Sequence, residues 1–150
     1  MLKTIIINDP NQTLDIILNC NKEFIKPFLN QSTFCDTLQK ITKYSIFVAV
    51  EYQSKIVGYI AFYANDKITY TAYITLLAVN PDYHNQGIGY KLMQECEKTS
   101  AYNGMKKIKL AVKKVNKNAI KFYQHRGFEY LCDQDENSFY MIKTLDEGNV

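Results

Sequence analysis

The stretch Val79-Asn80-Pro81-Asp82-Tyr83-His84-Asn85-Gln86-Gly87-Ile88-Gly89-Tyr90-Lys91-Leu92 combines residue types that can hold an anion. Ile74 to Val79 reads as a buried strand, Pro81 ends it, and Ile88, Leu92 and Cys96 recur at helical spacing. A strand therefore leads through a glycine-bearing turn into a helix. The first amides of such a helix have no partners within it, and the helix dipole adds partial positive charge there. Gly87 and Gly89 let a ligand come close to the backbone. These features suit a phosphate or pyrophosphate. Two glycines at a tight turn also serve geometry alone, so this stretch by itself leaves both roles open. A nucleotide P-loop needs Gly-Lys-Ser/Thr, whereas Gly89 is followed by Tyr90-Lys91. The dinucleotide fingerprint needs a third glycine where Leu92 stands.

Other chemistries find less support. Cys20, Cys35, Cys96 and Cys132 form no C-x-x-C pair, and His84 and His125 do not sit at zinc spacing, so no structural metal is expected. Cysteines used this way read as small buried apolar residues in a reducing, cytoplasmic compartment. A net charge of +3 suits an anionic small molecule and falls short of a nucleic-acid footprint. The lysines are dispersed, with only short pairs such as Lys106-Lys107 and Lys113-Lys114. Ile5-Ile6-Ile7 is too short for a signal peptide. No stretch approaches the ~20 apolar residues of a membrane span.

The elements that position the turn follow from periodicity. At 150 residues, with 47% apolar and 22% charged residues, the chain reads as one globular domain, 1–150. Leu2 to Ile7 is a strand ended by Asp9-Pro10-Asn11. A helix starts near Gln12 and is ended or kinked by Pro27. Ser32 or Thr33 caps a second helix with Phe34, Leu38 and Ile41 on one face. Ile46 to Val50, Ile56 to Ala64 and Ile68 to Val79 read as three strands joined by short turns, hence an antiparallel meander. The central helix spans Gly87 to Tyr102 and stops at Asn103-Gly104. Lys107 to Val112 is a strand, and Asn116 or Asn118 caps a helix that ends at Arg126-Gly127. Phe128 to Leu131 and Ser138 to Lys143 close the chain, with a frayed tail from Asp146. The order β-α-α-β-β-β-α-β-α-β-β is a mixed α/β (α+β) layer, with Leu76–Val79 and Ile108–Val112 parallel because a helix crosses between them.

The turn at Tyr83 to Gly89, taken with Asn116-x-x-Ala119-x-x-Phe122-Tyr123-x-x-x-Gly127-Phe128, resembles the GNAT superfamily of N-acetyltransferases. The element order matches that fold from about Leu2 to Lys143. The resemblance implies a three-layer fold with a mixed central sheet of about seven strands and helices on both faces. It implies transfer of an acetyl group from acetyl-CoA, as co-substrate, to an amine, with no metal. The CoA pyrophosphate would lie on the amides of His84, Asn85, Gln86, Gly87, Ile88, Gly89 and Tyr90. Leu77, Ala78 and Val79 would pair with the pantetheine arm like an added strand. Asn116 would contact CoA from the head of its helix; plain capping is its other role, and both can hold. Tyr123 matches the tyrosine whose hydroxyl faces the CoA sulfur, where a phenol of pKa ~10 can protonate the departing thiolate. Without the family pattern, Tyr123 would read as a core aromatic beside Phe122. Ala119, Phe122 and Phe128 are left as packing.

Two departures qualify the resemblance. His84 and Asn85 stand where the family has Arg or Gln and then glycine. Histidine can still donate to phosphate, and asparagine tolerates left-handed backbone angles. The glutamate that some members carry on the preceding strand is replaced by Tyr73, and no acid lies between Lys67 and Pro81. Tyr73 or Thr75 can hold a water in the base position, and Glu51 can reach in from a neighbouring strand. Deprotonating a lysine-like amine of pKa ~10.4 costs roughly 4–5 kcal/mol at pH 7, against about 1 for an α-amino group of pKa ~7.7. The site is therefore better matched to an amine of low pKa: an amino sugar, an amino acid or a peptide N-terminus. The aromatics Tyr52, Tyr59, Phe62, Tyr63, Tyr70 and Tyr73 crowd the middle strands, and alternation lets only some face a cleft.

The competing function class is a CoA-binding sensor without catalysis, which Tyr123→Phe distinguishes. A nucleic-acid-binding domain is a third reading, opposed by the dispersed lysines. The expected partners are acetyl-CoA and an amine, with neither nucleic acid nor membrane, and a homodimer is a further expectation from the exposed closing strands.

Overall fold

The computed structural model describes residues 1–24 and 31–145. Pro27 and the tail from Asp146 lie outside the described residues, as does any kink or fraying there. The elements are β1 (Leu2–Ile7), α1 (Pro10–Phe24), α2 (Gln31–Tyr44), β2 (Ile46–Tyr52), β3 (Lys55–Tyr63), β4 (Thr71–Val79), α3 (Ile88–Tyr102), β5 (Lys107–Lys113), α4 (Lys117–His125), β6 (Glu129–Asp133) and β7 (Ser138–Thr144). The strands form a mixed seven-stranded sheet in the order β1-β2-β3-β4-β5-β7-β6, which is the α/β class expected. Contacts divide the chain into two compact units, Met1–Tyr63 with Leu76–Cys96 and Ala64–Thr75 with Glu97–Val150.

In the first unit β2 is antiparallel to both β1 and β3. Phe47, Val48, Ala49 and Val50 are all buried, as are Val57 and Tyr59 to Phe62. Neither strand alternates, which is the pattern of strands covered on both faces. One core joins Ile16, Ile17 and Cys20 of α1 and Leu38 and Ile41 of α2 to Phe47, Ala49, Tyr59 and Ala61. Within it the Phe47 and Tyr59 rings stack at 5.2 Å. On α3, Ile88, Leu92 and Met93 are also fully buried. A Cβ at Gly58 would stand 2.7 Å from Ile88 Cγ2, 3.3 Å from Leu92 Cδ1 and 3.2 Å from the Ala78 carbonyl oxygen. Only a residue without a side chain lets α3 come this close to β3.

In the second unit β5 pairs in parallel with β4, from Thr71↔Lys107 to Ile74↔Leu110, and antiparallel with β7. The expected parallel direction holds. The ladder lies on the first half of β4 rather than on Leu76–Val79. Ile108, Leu110, Val112 and Met141 are buried on one face. On that side Glu97 of α3 accepts from Arg126 Nη2 at 2.9 Å and is also paired with Lys143 Nζ.

Several boundaries differ from the sequence reading for local reasons. The Asp9 side chain accepts from the Asn11 N–H at 3.0 Å, and Pro10 takes the first helical position, so α1 begins before Gln12. α2 already includes Gln31, the first described residue of this stretch, so Ser32 and Thr33 lie inside it rather than at a cap. β4 begins at Thr71, not Ile68: the Asp66 carboxylate accepts from the Ile68 N–H, the Thr69 N–H and the Thr69 hydroxyl. That turn leaves Ile68 91% exposed and Tyr70 at φ 52°. The same bonds, the Thr69 hydroxyl first, hold the Asp66 carboxyl below its ordinary pKa.

Candidate active site

The turn ahead of α3 is built residue by residue. Asn80 is 3% exposed; its N–H donates to the Val57 carbonyl at 2.8 Å and its side chain accepts from the Asp82 N–H at 3.0 Å. This anchors a 3-10 turn at Pro81–Tyr83, and the Tyr83 ring meets Tyr52 edge-on at 5.8 Å. Asn85 lies at φ 65° and Gly87 at φ 77°, so the chain enters α3 through two left-handed residues. Asparagine and glycine are the residues that adopt that conformation readily. A Cβ at Gly87 would meet nothing within 4 Å, so its role is conformational and the space above it is open. The first helical bond joins the Lys91 N–H to the Gly87 carbonyl at 3.0 Å. The Ile88 and Gly89 amides precede it and point out of the helix end. The His84 N–H is turned inward to Pro81 O at 3.3 Å, so this amide is already engaged within the turn. His84, Asn85, Gln86, Gly87 and Tyr90 are exposed, and Tyr90 Oη accepts from Gln94 Nε2 at 3.4 Å. Leu77, Ala78 and Val79 form the end of β4, with Ala78 buried and the other two half-buried.

α4 carries the other pair of expected residues. The Asn116 side chain accepts from the Ala119 N–H at 3.2 Å and caps the helix; Asn118 lies within the first turn. At the far end the Phe128 N–H reaches back to the Tyr123 carbonyl and the Gly127 N–H to that of Gln124, both at 3.0 Å. With Gly127 at φ 95° this is the six-to-one, five-to-two closure of a Schellman motif. The Tyr123 ring lies between Phe122 at 5.5 Å and Phe128 at 5.7 Å, both edge-on. Tyrosine, glycine and phenylalanine at this spacing thus fix where the Tyr123 ring leaves the helix.

Tyr73 and Thr75 alternate with buried Ala72 and Ile74, so they share the other face of β4. Burial, and then the Tyr140 phenol, raise the Tyr73 pKa above its ordinary value. The phenol is neutral near pH 7, and any water it holds is held by a neutral group. Glu51 is half-buried on β2, in register with Lys3 and Ile56. Of the aromatics, Tyr59 and Phe62 are core residues, Tyr52, Tyr63 and Tyr73 are half-buried, and Tyr70 is exposed.

Sequence reasoning missed Gly58, although a glycine inside a strand pattern signals a close backbone approach. It also missed the Glu97–Arg126–Lys143 group, whose members lie 29 and 46 residues apart and which no local pattern announces. Among the described residues no group of three or more His, Cys, Asp or Glu could hold a metal ion, and no helix is long and apolar enough to cross a membrane.

Known proteins share this architecture. The PaiA N-acetyltransferase of Thermoplasma acidophilum, solved in complex with coenzyme A, superposes with a TM-score of 0.73 at 20% identity, over 95% of this chain and 99% of that one. The ribosomal-protein-S18-alanine N-acetyltransferase of Escherichia coli gives a TM-score of 0.78 at 17% identity, over 97% and 95%. At such identities these likenesses speak for the fold. By sequence, the uncharacterized protein YdhI of Bacillus subtilis (strain 168) is 31% identical over 84 residues, 56% of this chain. The match spans about half (49%) of that relative's length. Residues 12–128 match the Acetyltransferase (GNAT) family, and the chain belongs to it.

Proposed function

We propose that the chain is an acetyl-CoA-dependent N-acetyltransferase that passes the acetyl group directly to a primary amine of low pKa on a small molecule or a peptide. The observation that carries this reading is the left-handed turn at Asn85 and Gly87, which opens α3 with unobstructed space above the backbone. The amides after it, with His84 beside them, would take the CoA diphosphate. The backbone of Leu77 to Val79 would pair with the pantetheine arm, and Asn116 would add a contact from the head of α4. The amine nitrogen attacks the thioester carbonyl, loses its proton to water, and the tetrahedral intermediate collapses. An amide forms, the C–S bond breaks, and the Tyr123 phenol gives its proton to the leaving thiolate. Tyr73 and Thr75 would position the water that accepts the amine proton. Cys96 is fully buried in α3, which argues for direct transfer rather than an acyl-enzyme.

The test is CoA release from acetyl-CoA over a panel of amino sugars, amino acids, polyamines and peptides. The wild type should turn over acceptors of low amine pKa. Tyr123→Phe should lose turnover by about 10²–10⁴-fold, the usual worth of a general acid, while keeping its affinity for CoA. Retained CoA binding with no release from any amine would make the chain a sensor instead.

A further inference from the structure

Resting on that reading, the structure points to what else the acceptor carries. We propose that Lys109, held over the ring of Tyr140 beside Tyr73, is an anion subsite, so that the acceptor is an amine bearing a carboxylate or phosphate. The three residues come together through strand register. Tyr73 of β4 is paired with Lys109 of β5, and Lys109 is paired with Ile142 of β7, two residues from Tyr140. Paired positions share a face, and diagonal neighbours lie within reach of long side chains. The Lys109 ammonium sits 4.1 Å from the centroid of the Tyr140 ring. The opposite face of β5 is closed by buried Ile108, Leu110 and Val112. Tyr73, Lys109 and Tyr140 are instead half-buried, each keeping part of its surface exposed.

The charge arrangement is the informative part. The described ion pairs engage Lys114, Arg126 and Lys143, and Lys109 forms none with any described residue. The acid in nearest register is Glu129, on the far side of β7 opposite Ile142. A half-buried lysine whose ammonium is held on an aromatic face, with no carboxylate paired to it among the described residues, is poised to receive an anion at less entropic cost than a freely moving surface lysine. The neighbouring β4 carries Tyr73 and Thr75, proposed above to position the water that takes the amine proton. An anion on the acceptor ordinarily raises the pKa of a neighbouring amine; pairing it with a cation cancels that effect. The subsite thus supplies part of what a catalytic carboxylate would otherwise do.

The experiment compares matched acceptors: an amino acid with its carboxamide, and an amino phosphate ester with its amino alcohol. The wild type should prefer the anionic member of a pair by at least about tenfold in kcat/KM, the scale of one charge-assisted hydrogen bond. Which pair shows the larger ratio separates carboxylate from phosphate. Lys109→Met keeps the stem on Tyr140 and should bring the ratio near one, while Lys109→Arg should retain most of it. A wild-type ratio near one, or an unchanged ratio in Lys109→Met, overturns the proposal. Acceptor binding measured without acetyl-CoA tests the subsite apart from turnover. Tighter wild-type binding of the anionic member, lost in Lys109→Met, supports it even if no acceptor is acetylated; equal binding of both members overturns it.

Discussion

Tyr123 is placed by its own chain neighbours. Its carbonyl is pinned by the Phe128 N–H, and its ring stands against Phe128. Gly127 makes this possible by holding φ 95°. A Gly127→Ala variant would force an L side chain into that conformation, where its Cβ would stand 3.4 Å from Lys143 Cε. The steric space is adequate, so the cost is conformational, on the order of 1–2 kcal/mol. Thermal unfolding should show that loss, and turnover should fall more than CoA affinity because Tyr123 leaves its position. An unchanged melting temperature together with unchanged turnover would contradict this account of the helix end. Much of this was legible from residue types: Asn116 as cap, left-handed Asn85 and the stop at Gly127 each follow from local backbone chemistry. The engagement of the His84 amide by Pro81 was not, because it depends on how the 3-10 turn closes.

At the scale of elements, α3 is located by contact with β3. Gly58 leaves room for Ile88 and Leu92 at the first turns of the helix, where the amides proposed to take the CoA diphosphate begin. Gly58→Ala would press a methyl group against Ile88 Cγ2 and the backbone oxygen of Ala78. Overpacking of this kind costs roughly 1–3 kcal/mol. The melting temperature should drop by about 2–10 °C for a chain of this size, with weaker CoA binding as α3 is pushed outward. Equal stability and affinity would mean that α3 is positioned by other contacts. The continuous apolar run Ile46–Val50 and the alternating Lys107–Val112 were readable as strands from their apolar patterns. The start of β4 was not. Ile68 has strand-like character, yet three bonds to Asp66 draw it into a turn.

Across the whole molecule, the parallel relation of β4 to β5 follows from one rule, that a helix crosses between parallel strands. The placement of β7 between β5 and β6 does not follow from adjacency, since the last strand is inserted beside an earlier one. The charge groups assembled by that insertion, Glu97 with Arg126 and Lys143 on one face and Lys109 with Tyr140 on the other, are invisible to any local pattern. The central claim is that the turn opening α3 holds the diphosphate of CoA. Titration of the ¹⁵N-labelled protein with CoA, followed by amide NMR, tests it most directly. The account predicts saturable shifts that are largest at Gly87, Ile88 and Gly89, as their N–H groups take up phosphate oxygens. Saturating CoA that leaves those three amides unmoved would contradict it.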